Sequence, residues 1–268
     1  MKSLIAIALF LLLASCNNTD TGGQGRSGGG SGPGADEPRS ISYSLVNTFP
    51  HDTSSFTEGL LIYKGKLYES TGNYGTSHLI EADLVTGKPV KKIPIDKKYF
   101  GEGISIIRDT IYQLTYKEHT GFAYTLDFKK IREFPVTLEQ GWGMTTDGNE
   151  LIVSDGTSNI YFYDPATFKL LRTQTVTDGG TLGFNINELE YIDGYIYANK
   201  WQDPYILKID PSSGKVIGKI DITKVWEAVR SKDPEADVPN GIAYDPATKK
   251  IYITGKFWPD LYEIQFGE

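Results

Sequence analysis

The 268-residue chain has one cysteine, Cys16, and three histidines. No disulfide can brace the fold, so its stability must come from a core large enough to hold itself together. His51, His78 and His119 are scattered, with no spacing suited to zinc ligation. Basic charge is scarce as well: 27 Lys and Arg stand against 34 Asp and Glu, for a formal charge of −7, and no basic cluster occurs. That balance argues against nucleic acid as a partner. An apolar run from Leu4 to Ala14 follows Lys2 but is too short to span a bilayer.

Residues 1–16 therefore read as a signal peptide. The run ends Leu13-Ala14-Ser15-Cys16, which resembles a bacterial lipoprotein signal. The resemblance implies cleavage before Cys16, lipidation of Cys16 and a lipid-anchored place in the cell envelope, facing the periplasm or the outside. The plainer alternative is an ordinary signal peptide with an incidental cysteine. Residues 17–39 are rich in Gly, with Ser, Asn, Asp and Pro, and predict a flexible tether. Residues 40–268 suit one all-β domain, expected to be a monomer that meets the membrane only through its anchor.

What the sequence does contain is a repeated phrase. It begins at Glu58-Gly59-Leu60, Glu102-Gly103-Ile104, Trp142-Gly143-Met144, Asn187-Glu188-Leu189 and Asn240-Gly241-Ile242, at spacings of 44, 40, 45 and 53 residues. Each copy runs through a short apolar strand and a turn into a second apolar strand. Further hairpins follow, with turns such as Val85-Thr86-Gly87-Lys88 and Asp164-Pro165-Ala166-Thr167. A strand-only repeat of this length predicts a five-bladed β-propeller. The fifth copy lacks a fourth strand while Ile41–Phe49 stands spare, so that N-terminal strand is expected to close the last blade. The longest spacing contains an insertion, Thr223–Val238, where Val225, Trp226 and Val229 fall at helical spacing.

In a propeller, equivalent positions of every blade face one place. The starts of the inner strands and the ends of the second strands should ring one mouth of the axis: Glu58, Glu102, Trp142, Asn187 and Asn240 with Ser70, Thr71, Thr115, Tyr116, Ser154, Asp155, Asn199–Trp201 and Thr254–Lys256. Carboxylates, amides, lysines and tryptophans together predict a pocket for a small polar group with an apolar face. Strand alternation turns Glu188, beside Asn187, to the opposite face.

His51-Asp52, Phe56-Thr57-Glu58-Gly59-Leu60, Phe100-Gly101-Glu102-Gly103, Gly141-Trp142-Gly143, Ile186-Asn187-Glu188-Leu189-Glu190, Asn199-Lys200-Trp201-Gln202 and Thr254-Gly255-Lys256-Phe257-Trp258-Pro259 resemble the glutamine cyclotransferase family over roughly 43–266. The resemblance implies a five-bladed propeller without catalytic zinc or any other metal or cofactor. It also implies a glutaminyl-peptide cyclotransferase, which closes the N-terminal Gln of a peptide to pyroglutamate with loss of ammonia. Glu102 would then shuttle the proton, and Lys256 would stabilise the oxyanion or pair with Glu102. Asn187 would hold the substrate, Trp142 and Trp201 would sandwich its side chain, and Phe56 would form an apolar wall. Two positions depart from the family's usual residues: Glu58 stands where Gln is common, and Tyr116 where Trp is common. Glu58 is expected to meet the substrate's α-amine and to raise the pKa of Glu102; Tyr116 is expected to keep a stacking ring.

Two other functions remain open on the sequence. One is a non-catalytic binding module. The other is a metal-dependent hydrolase or lactonase, with Glu58, Glu102, Asn187, Asn240 and Asp155 around Ca²⁺.

Overall fold

The computed structural model describes residues 37–267; the expected signal peptide, Cys16 and most of the expected tether lie outside them. Each blade has four antiparallel strands, innermost strand first. Blade one is Thr57–Tyr63, Lys66–Thr71, His78–Ala82 and Pro89–Pro94, and blade two is Gly101–Ile107, Thr110–Thr115, Thr120–Thr125 and Lys130–Pro135. Blade three is Met144–Thr146, Leu151–Ser154, Asn159–Tyr163 and Leu170–Thr175, and blade four is Ile186–Ile192, Tyr195–Lys200, Tyr205–Ile209 and Val216–Asp221. Blade five takes Pro239–Asp245, Lys250–Gly255 and Asp260–Phe266 from its own repeat, and its outer strand, Tyr43–Pro50, from the N-terminal side. That strand pairs antiparallel with the last one, from Tyr43 opposite Phe266 to Pro50 opposite Asp260. The ring is thus closed as expected, and the edge that Asp260–Phe266 would present is covered.

Local chemistry sets the turns. The Asp83 carboxylate accepts the backbone N–H of Thr86, and Asp164 does the same for Thr167, at 2.8 Å each. Such Asx turns join the third and fourth strands of their blades. Five apolar clusters hold the ring together, and each lies between two neighbouring blades. The cluster joining blades five and one, with Leu60, Leu67, Ala243, Tyr252 and Leu261, is as buried as the others, which is what ring closure requires. Truncating one fully buried residue such as Leu151 to Ala costs about 2–5 kcal/mol.

Three features go beyond the repeat. Arg39–Ser40 adds a short parallel strand to the outer edge of blade four, and Thr177–Asp178 pairs with Thr181–Leu182 in a small hairpin after blade three. The insertion forms one helix, Thr223–Lys232, which buries Val225 and Val229 against the cluster between blades four and five, while Trp226 is only partly buried.

The feature that builds the site is a bulge. In blades one, two, four and five the register between the two inner strands shifts by a residue within the repeated phrase. A bulge breaks the strict alternation of side chains and re-aims the residues inside it. Glu58, Glu102, Asn187 and Asn240 all sit in these bulges.

Candidate active site

Asn240 is buried, while the other three bulged residues, Glu58, Glu102 and Asn187, line a cavity of about 270 Å³ at one mouth of the axis. That is small for a ligand pocket and suits an amino-acid-sized group. Its lining includes Phe56, Glu58, Glu102, Tyr116, Trp142, Asn187, Trp201 and Lys256, so the structure brings together every residue to which the family resemblance gave a part in the reaction. Phe100, Gln202, Asp237 and Val238 complete it. Phe100 stands two residues before Glu102. Asp237 and Val238 come from the end of the insertion, which directly precedes the inner strand of blade five.

The charged centre joins blades one and five. Lys256 Nζ lies 2.7 Å from Glu58 Oε1, and both side chains are almost fully buried. Asn240 Nδ2 donates to Glu58 Oε2 at 3.0 Å and to the Thr57 carbonyl at 2.9 Å. Lys256 therefore pairs with Glu58 rather than with Glu102. Both oxygens of Glu58 are engaged, which leaves it badly placed to receive the substrate's α-amine. Lys256 Nζ also lies 4.3 Å from the centre of the Phe56 ring.

Glu102 is different. Its carboxyl is buried and no described residue gives it a hydrogen bond. Burial pushes it well above the usual carboxylate range, the charge of Glu58 pushes the same way, and Lys256 opposes them. A smaller upward push comes from Glu118, whose carboxylate accepts the Tyr74 hydroxyl. Burial raises Glu58 too, against the pull of Lys256 and the Asn240 hydrogen bond. Two neighbouring buried carboxyls titrate as a pair, and the one without the lysine keeps the proton longer.

The aromatic walls are not a sandwich. The Trp142 and Trp201 rings meet edge to face, with centroids 5.6 Å apart and planes at 75°. Trp142 is fixed by its indole N–H to Gln140 Oε1 at 3.0 Å and by Gly156, where a Cβ would come within 2.6 Å of the indole. Across the pocket Phe56 packs edge-on to Phe100, and Phe100 packs against Tyr116.

Several mouth residues turn out to be stitches between strands. Gln113 donates to Ser70, Ser154 donates to the Asn187 carbonyl, and Asn199 accepts the N–H of Gly241. Asp155 is tied to Thr157 and Tyr161 and is absent from the lining. His51 is buried against Glu69 and the Trp258 carbonyl, as a brace between blades one and five. Among the described residues no group of three or more His, Cys, Asp or Glu could hold a metal ion.

A propeller whose axial mouth holds a buried acid, a buried lysine and an aromatic wall belongs with the propeller enzymes in architecture. The sequence comparisons then narrow the class. The model for glutamine cyclotransferase matches residues 9–266. A glutaminyl-peptide cyclotransferase of Arabidopsis thaliana is 40% identical over 228 residues, covering 84% of this chain and 71% of that protein. The crystal structure of Myxococcus xanthus glutaminyl cyclase superposes with a TM-score of 0.80 at 34% identity, covering 86% of this chain and 98% of the other. The chain belongs to the glutamine cyclotransferase family.

Proposed function

We propose that this pocket is the active site of a glutaminyl-peptide cyclotransferase that turns an N-terminal Gln into pyroglutamate. The observation that carries the reading is Glu102, a buried carboxyl with raised pKa, bare of hydrogen bonds and sharing a small aromatic pocket with Lys256. Family membership supplies the reaction class.

The chemistry needs no co-reactant. The α-amine nitrogen attacks the side-chain amide carbon, a C–N bond forms, the bond to the amide nitrogen breaks, and ammonia leaves. The nucleophile is already tethered, so holding the folded pose lowers much of the barrier. Glu102 takes the proton from the attacking nitrogen and hands it to the departing one, so the proton count balances. A raised pKa suits a group that must both accept and donate near neutral pH. Lys256 has three N–H donors, of which Glu58 engages one, so the others serve the developing oxyanion. Trp142, Trp201, Tyr116 and Phe56 would shape the apolar walls and Asn187 would hold a substrate amide. Glu58 then acts through Lys256 and through its charge on Glu102. The same assignment makes the reaction independent of metal.

The test is ammonia release and the mass loss of a Gln-initiated peptide, with and without EDTA, using the full chain. Equal turnover in both is expected. Absence of turnover by folded protein would overturn the reading in favour of a binding module, and loss of turnover in EDTA would restore the metal-dependent alternative.

We also propose that the chain is anchored through a lipid on Cys16 and acts, as a monomer, in the cell envelope. The support is the Leu13-Ala14-Ser15-Cys16 phrase and the Gly-rich stretch after it. Metabolic labelling with a fatty acid, lost in Cys16→Ser, would bear on the anchor.

A further inference from the structure

Glu188 lies on the innermost strand of blade four, in the same bulge as Asn187, yet it is not part of the pocket lining. That agrees with strand alternation, which keeps it out of the pocket that Asn187 lines. Its side chain is 1% exposed and reaches across the axis. Glu188 Oε1 accepts the N–H of Leu60 in blade one at 3.2 Å, and Oε2 accepts the N–H of Ile242 in blade five at 2.9 Å. Leu60 is two residues from Glu58, and Ile242 two residues from Asn240.

The other four repeats have glycine at this position: Gly59, Gly103, Gly143 and Gly241. The axis shows why. A Cβ on Gly103 would come 2.4 Å from Met144 N, and one on Gly143 would come 2.2 Å from Asn187 O. Gly59, Gly103 and Gly143 let neighbouring strands close in, Gly241 takes a φ of 120°, and Glu188 is the one residue at this position with a side chain. That side chain presents two acceptors to two inward-pointing N–H groups that the sheets themselves leave unpaired.

We propose that Glu188 is a positioning residue for the reaction, the axial clasp that holds the strands carrying Glu58 and Asn240 and thereby aims Lys256 at the substrate. The proposal rests on the cyclotransferase reading of the pocket. Its control is Glu190, two residues along the same strand, which makes a comparable pair of contacts away from the pocket: Tyr244 N at 2.8 Å and Thr145 Oγ1 at 3.2 Å.

Glu188→Gln keeps the size but replaces one acceptor with a donor facing an N–H. Relative to both wild type and Glu190→Gln, it should lower kcat about tenfold to a hundredfold with little change in KM, because small misplacements of reacting groups are that costly. The Gln-peptide assay should show this together with faster amide exchange over 58–60 and 240–242 and a displaced pH–kcat profile. A kcat and pH profile matching Glu190→Gln would overturn the proposal. If Glu188→Gln does not fold, Glu188→Asp, which keeps both acceptors on a shorter arm, should show the same kcat loss at unchanged KM, and full activity there would overturn it. If wild-type protein fails to turn over Gln peptides, the functional reading falls. The clasp is then judged by exchange alone, with protection at 58–60 and 240–242 no lower than in Glu190→Gln counting against it.

Discussion

Glu102 and Glu190 are both buried carboxyls on innermost strands, and burial raises the pKa of each. Their surroundings differ. Glu190 is held by a backbone N–H and a hydroxyl, and its pKa is raised to about 8 despite them. Glu102 has no such donors, faces a second carboxylate and a lysine, and opens onto the pocket. Donors that satisfy a buried acid also fix it in place. An acid that must exchange protons with a substrate has to be left unsatisfied until the substrate arrives, and the folded state bears the cost of that.

The contrast can be broken at either end. Glu102→Gln should have the largest effect, lowering kcat by about 10²–10⁴-fold with Tm unchanged or higher, since the removed group is desolvated and unpartnered. Steady-state kinetics and a thermal melt read both, and retained turnover would erase the distinction. Lys256→Met should lower kcat by about 10²–10³-fold. It should also destabilise the fold by about 3–5 kcal/mol, as loss of one partner from a buried pair does, measured by denaturant titration.

Glu58→Gln sharpens the comparison. Removing its charge takes away one of the upward pushes on Glu102, so the acid limb of the pH–kcat profile should move to lower pH. A profile that stays in place would uncouple the two groups. The smallest effect belongs to Glu190→Gln, which should leave turnover intact and change only the pH dependence of stability. A carboxyl whose folded pKa is raised contributes stability that is fully present below its unfolded value of 4.5 and is lost as pH rises to about 8. Between those values, wild-type stability should fall relative to the variant, as melts across that range would show.

The blade count, the closing strand and the pocket residues were legible because one phrase recurs and a propeller converts recurrence into convergence. Legibility stopped at the bulge. Alternation keeps Glu188 out of the pocket, as found, but it does not reveal that the carboxylate of Glu188 accepts the backbone N–H groups of Leu60 and Ile242 in two other blades. Pairing choices were also hidden. Lys256 lies next to two carboxylates, and only the fold shows that Glu58 takes it. The edge-to-face tryptophans depend on Gly156 and Gln140, which carry no signal of their own. Asp237 and Val238 were within reach, since an insertion placed just before an inner strand must end near the mouth.

The pairing of Tyr43–Pro50 with Asp260–Phe266 has a consequence in time. Asn47 and Glu263, bonded at 2.8 Å, are 216 residues apart in sequence. Blades one to four can assemble from local hairpins as the chain is synthesised, but blade five must wait for the two far ends of the fold to meet. Contacts of that span are slow to form. Until they do, the strand that leads into Lys256 belongs to an incomplete sheet, so the enzyme should acquire its lysine last and become active only when the final strand is in place.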